Sequence, residues 1–164
     1  MTAPAYATQL NRSERVLGWA TLVLLAVVGI AVLRGHAHWP GVRWTVWLHL
    51  ATMMTALALT PAILWLPRGT RRHRRFGYAW VVALLATALD SFLIRDANHG
   101  QLGFIHILSA WVLIQVPLIV WTARTHRHAR HRRAVRAMVI GALLTAGVFT
   151  LPFGRMLGTW LSGG

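Results

Sequence analysis

Cysteine is absent from this chain of 164 residues, and so is lysine: all of its basic side chains are arginines. Without cysteine there is no disulfide, no thiol nucleophile and no thiolate metal site. Any bound metal or cofactor must therefore be held by histidine, methionine or carboxylate. Acidic residues are also scarce, with only Glu14, Asp90 and Asp96. Charged residues make up 12% of the chain, about half the share a soluble domain uses to face water. That composition excludes an ordinary soluble fold. A glycine-rich phosphate loop is missing, and no serine or threonine has a base partner at a recognisable spacing, so nucleotide binding, phosphoryl transfer and hydrolysis find no support.

What the chain does have is apolar length. Hydrophobic residues make up 56% of it, with nine tryptophans. They fall into blocks over residues 16–33, 44–66, 76–94, 104–123 and 135–151. At about 1.5 Å per residue, blocks of this length match the hydrocarbon core of a bilayer. The pattern predicts an all-α polytopic transmembrane bundle of five helices. Pro67 ends the second block, and Pro152 with Gly154 ends the fifth. Two parts are expected: residues 1–43, comprising a tail, an anchor helix and an outer loop, and residues 44–164, a four-helix membrane bundle. A cleavable signal peptide competes for the first block, with Gly35-His36-Ala37 a poor cleavage site. The apolar run is longer than the roughly 7–15 residues of a signal core, which favours an anchor.

A net charge of +14 can signal a nucleic-acid partner. Here the charge is concentrated in two turns, with five arginines in residues 68–75 and six in residues 124–136. The other connections are poor in positive charge. Arginine-rich loops mark the cytoplasmic side, so both turns are expected inside, the N-terminus inside and the C-terminus outside. Nucleic acid is thereby set aside, and membrane lipid is the expected neighbour.

Small residues recur at helical spacing: Ala79, Ala83, Ala86, Thr87 and Asp90 in the third block, and Ala137, Gly141 and Thr145 in the fifth. Such stripes let helices approach closely in lipid. They would equally leave room for a flat cofactor. A parallel repeat is also visible. His49 precedes His73 by 24 residues, and His106 precedes His131 by 25. A repeat axis along the membrane normal would set His49 and His106 at one depth near the outer face, and His73 and His131 at the inner face. Positive-inside loops supply arginines to both turns in any case, so the inner pair is weaker support for the repeat.

Polar side chains within membrane helices default to a functional hypothesis. Those here are His49, Asp90, His106 and Gln115. Two neutral imidazoles facing one another suit the axial positions of a b-type haem, so His49 and His106 are candidate metal ligands, with His73 and His131 a lesser pair. Asp90 could take the Nδ1 proton of one histidine and set its tautomer. Arg43, Arg95 and Arg155 sit near outer helix ends, where haem propionates would need cations. A histidine pair also suits Zn²⁺, Cu²⁺ or a proton relay, and an Asp90–histidine hydrogen bond could simply lock two helices. The arginines flanking His73 and His131 repel a metal cation and suit lipid phosphates instead.

A family resemblance begins at Leu48-His49. It continues through Leu66-Pro67-Arg68-Gly69-Thr70, His73-Arg74, Gly77 and Ser91-Phe92-Leu93-Ile94. It then takes in Ile105-His106-Ile107-Leu108-Ser109, His131-Arg132, Met138, and residues 146–152 with Gly154-Arg155. Over residues 49 to 157 the sequence resembles a bacterial membrane-protein family, domain of unknown function 2306. It departs from that family's pattern at Tyr78 and Asp90. The resemblance implies a multi-pass bundle in a bacterial inner membrane and brings no activity with it. It makes His49, His73, His106, His131 and Arg155 the positions to test. Two function classes follow. One is a small haem-binding electron carrier with a quinone or other redox partner. The other is a non-redox membrane protein: an assembly factor, a small transporter or a subunit of a larger complex. Both readings admit a homo-oligomer.

Overall fold

A computed structural model describes residues 11–94, 104–152 and 154–163, and among these the fold is all-α. Arg95 and His99 lie outside the described residues. Helix α1 spans Arg12–Arg34 and runs into a 3₁₀ segment, Gly35–Gly41. Asn11 caps α1, its side chain accepting from the Ser13 N–H. Helix α2, Trp44–Trp65, ends where Leu66 turns extended ahead of Pro67, as the residue before a proline must.

Helix α3 is Arg71–Ser91 and begins several residues before the apolar block. The reason is local. Gly69 takes a left-handed φ of 82°, and the Thr70 hydroxyl accepts the His73 N–H at 3.1 Å, which caps the helix. The arginines of this turn therefore stand on helix rather than loop. After α4, Phe104–Arg124, the chain behaves likewise: α5, His128–Met138, starts within the second arginine run. A π-helical segment, Val139–Thr145, follows, then α6, Ala146–Phe149, and a short helix, α7, Met156–Ser162.

Each long helix packs on the next in sequence, and α1 also meets the π segment and α7, which closes the bundle. Glycines set several close approaches. A Cβ on Gly18 would lie 2.6 Å from the Trp65 indole, and one on Gly147 2.5 Å from Leu24. Gly35 packs directly against the Trp160 ring. The small-residue stripes are used only in part. Ala83 and Asp90 are buried but Ala79 is exposed, and on the fifth stretch Thr145 is exposed while Met138, Val139, Ala142 and Leu143 form the core. The π segment, with its wider turn, shifts the register on which the Ala137–Gly141–Thr145 stripe was read.

Among the described residues three helical stretches are long and apolar enough to cross a membrane: Arg12–Gly41, Trp44–Trp65 and His106–Arg124. Large apolar side chains face outward along them, including Val23, Leu48 and Ile114. Exposure on this scale is foreign to a water-soluble surface. α3 carries arginines through its first turns, and the fifth stretch is broken by the π segment, so neither meets the same test of length and composition.

Candidate functional site

Among the described residues two clusters built around a buried carboxylate lie within the bundle, one toward each end. The first begins on α2 and α3. His49 Nδ1 lies 2.6 Å from Asp90 Oδ1. With Asp90 ionised, Nδ1–H is the donor, and the second ring nitrogen is left as the basic site. Thr52, one turn along α2, contacts both the His49 carbonyl at 3.0 Å and Asp90 Oδ2 at 3.1 Å. Its single hydroxyl proton is shared between them. The Asp90 side chain is 4% exposed and that of His49 31%, so a buried carboxylate is reached through a half-open imidazole. Beyond it, Ser91 Oγ lies 2.6 Å from Ser109 Oγ, which links α3 to α4.

His49 borders a cavity of about 50 Å³ at the convergence of α2, α3, α4 and the π segment. Its walls include Met53, Thr87, Ser109, Val112 and Ala142. This is space for a water or two. Pockets for organic ligands run to about 300 Å³ or more, so this cavity beside His49 is too small for a haem as it stands.

His106 is buried on α4, its ring 5.5 Å from that of Phe92. His49 and His106 are thus engaged by different residues at the end of α3: Asp90 holds His49, and Phe92, just past the helix, packs on His106. Helix α3 is the common neighbour of α2 and α4. His106 is not among the residues that wall the His49 cavity. Arg155 is exposed at the start of α7, where its carbonyl accepts the Thr159 N–H. It takes no part in the His49–Asp90 group. Gln115 is half-buried, with its Oε1 shielded from solvent. Among the described residues no group of three or more potential metal ligands occurs.

The second group was not anticipated from sequence. Glu14, in the first turn of α1, is 1% exposed and meets Arg68 at 2.6 Å and Arg132 at 3.1 Å. Arg68 comes from the first arginine turn and Arg132 from the second. The Trp65 indole N–H donates to the Glu14 carbonyl at 3.3 Å. The available signal was that Glu14 is the only glutamate in the chain and immediately precedes an apolar run. His73 and His131 belong to this end. His131 Nδ1 donates to the Ile119 carbonyl at 3.1 Å. Burial lowers the His73 pKa, helped by the positive charges of His131 and Arg68. Burial likewise lowers that of His131, with Arg68 and His128 adding to the effect against the hydrogen bond to Ile119. Both rings are therefore held toward the neutral form.

The chain matches no protein-family model, no curated protein and no solved structure.

Proposed function

We propose that this chain is a five-span protein of a bacterial inner membrane, N-terminus inside, and that it is a non-redox small transporter whose His49–Asp90 pair takes up and releases a proton. Membership of the family it resembles, domain of unknown function 2306, belongs to the same proposal. The topology is supported by the junction at Glu14, where the start of α1 and both arginine turns meet at one end of the bundle. An alternating five-span path with both turns inside requires that meeting. Outward apolar residues on the two helices that fail the length test, such as Val82, Leu89, Val148 and Phe149, fit lipid contact.

The functional reading is carried by one observation: a buried carboxylate bonded at 2.6 Å to a half-exposed imidazole beside a small cavity. Ionisable groups inside membrane helices are costly and mark proton or ion pathways. Uptake of a proton on the free ring nitrogen makes an imidazolium already paired with the Asp90 carboxylate. Its release restores the neutral ring. No other covalent change is needed.

The test is a titration of ¹⁵N-histidine-labelled protein in nanodiscs by solid-state NMR. The His49 ring signals should respond when pH is stepped over a wide range, and Asp90→Asn should alter that response. A His49 signal unchanged across the range in both forms overturns the reading.

The haem reading retains one support: Asp90 on Nδ1 orients the opposite nitrogen of His49 as a ligand should be oriented. It requires the space beside His49 to open well beyond its present volume. A reduced-minus-oxidised absorption spectrum of protein from haem-replete cells decides it. Sharp α and β bands lost in His49→Ala would establish haem, and a colourless preparation removes it.

A further inference from the structure

We propose that the arginine-rich end of the bundle is a binding surface for anionic phospholipid headgroups, seated between the first turns of α3 and α5. The starting point is how little of the positive charge is neutralised. Glu14 consumes Arg68 and Arg132, and it is the one carboxylate described at this end. Arg71, Arg72, Arg74, Arg75, Arg130 and Arg133 remain exposed. Their guanidinium groups enter no hydrogen bond or ion pair among the described residues. Because these arginines stand on helix rather than loop, their spacing is held by backbone. Planar guanidinium forks suit phosphate oxygens in a way ammonium groups do not.

Three observations select lipid over another polyanion. Directly after Arg75 the surface of α3 becomes apolar, with Phe76 40% and Tyr78 51% exposed. A ligand covering both parts must carry an acidic head and apolar tails. Tryptophans mark the same level: Arg127 lies 4.4 Å above the Trp121 ring, and Trp19 and Trp65 pack at 5.5 Å beside Glu14. Indoles gather at the headgroup depth of a bilayer. His73 Nδ1, shielded from solvent and without a hydrogen-bond partner, adds a polar atom at the foot of the arginine cluster. Basic clusters between membrane helices on the cytoplasmic side are suited to anionic headgroups.

The proposal rests on the membrane reading, and the experiment separates the two. The full-length chain is placed in nanodiscs of phosphatidylcholine with one-fifth phosphatidylglycerol, and spin-labelled lipids report which species is motionally restricted at the protein. Phosphatidylglycerol should be favoured over phosphatidylcholine by about threefold or more, falling toward parity in 1 M salt. The variant R71Q/R72Q/R130Q/R133Q should lose most of the preference. R34Q/R43Q/R155Q, with three positive charges removed elsewhere, should keep it. Incorporation with equal affinity for the two lipids overturns the proposal and leaves the membrane reading standing. Failure to incorporate at all overturns the membrane reading first. Preference abolished by millimolar inorganic phosphate would reassign the surface to free phosphate. Salt-sensitive capture of duplex DNA by the phosphatidylglycerol nanodiscs would reassign it to nucleic acid. Either result sinks the lipid proposal.

Discussion

Glu14 and Arg132 stand 118 residues apart in sequence, yet Nε and Nη2 of the arginine both lie 3.1 Å from the same carboxylate oxygen, Oε1. Arg68 Nη2 takes the other oxygen at 2.6 Å. One carboxylate thus ties the first helix to both arginine turns. In a chain with so few acidic groups there is no substitute for it.

Glu14→Gln should therefore be costly. It removes the charge from a buried site and leaves two arginines facing one another. Breaking a buried pair costs about 3–5 kcal/mol. Both arginines are part exposed, 24% and 32%, and water recovers some of that, so about 2 kcal/mol is expected. Unfolding in mixed micelles measures it. The Arg68→Gln and Arg132→Gln losses should be strongly non-additive with that of Glu14→Gln; simple additivity would mean the three do not act as a unit.

His73 and His131 set a pH dependence of definite sign. Both pKa values lie below 6.5 in the folded protein. Below about pH 6.5 the unfolded chain binds protons that the folded chain refuses, so stability falls as pH drops through this value and into the lower folded range. Melting temperature should decline from pH 7.5 to pH 5.5, and His73→Gln with His131→Gln should flatten that decline. An equally steep decline in the double variant would locate the effect elsewhere.

Gly18→Val tests the seam between α1 and α2. The added carbon meets the Trp65 indole at 2.6 Å, and that ring is held by its bond to the Glu14 carbonyl and by Trp19. It cannot swing aside cheaply. Overpacking of this kind costs about 1–3 kcal/mol. Gly29→Val, at a position with open space around it, should be close to neutral by the same thermal assay.

Asp90→Asn keeps the shape of the upper site and removes its charge. A polar contact inside a membrane bundle contributes about 0.6 kcal/mol, with a maximum near 1.7. The stability loss should fall in that range, while the response of the His49 NMR signals to pH changes. A large loss of stability with an unmoved titration would mean that Asp90 is a helix fastener and not a proton partner.

Much of this molecule is legible from order and composition. Apolar runs of bilayer length with almost no acid among them dictate helices, because buried backbone must satisfy its hydrogen bonds locally. The pairing of Asp90 with a histidine was among the readings open to sequence, since a lone carboxylate in an apolar helix needs a partner. Which histidine it meets is a matter of packing. Helix α3 runs between α2 and α4, so Asp90 reaches His49 while Phe92 packs on His106, neighbours that matched spacings do not name. Helix starts were misread for a local reason: the Thr70 cap and the turn before His128 draw the arginines onto helix, where hydropathy alone sees loop. The π segment re-registered the fifth helix, which periodicity at 3.6 residues per turn could not foresee. Glu14 was passed over because nothing near it in sequence shows its partners. The sequence determined by itself that the chain is helical and suited to lipid, since both follow from local composition. Only the tertiary structure decided which charges meet, because ion pairs between distant segments depend on the path of the chain through space.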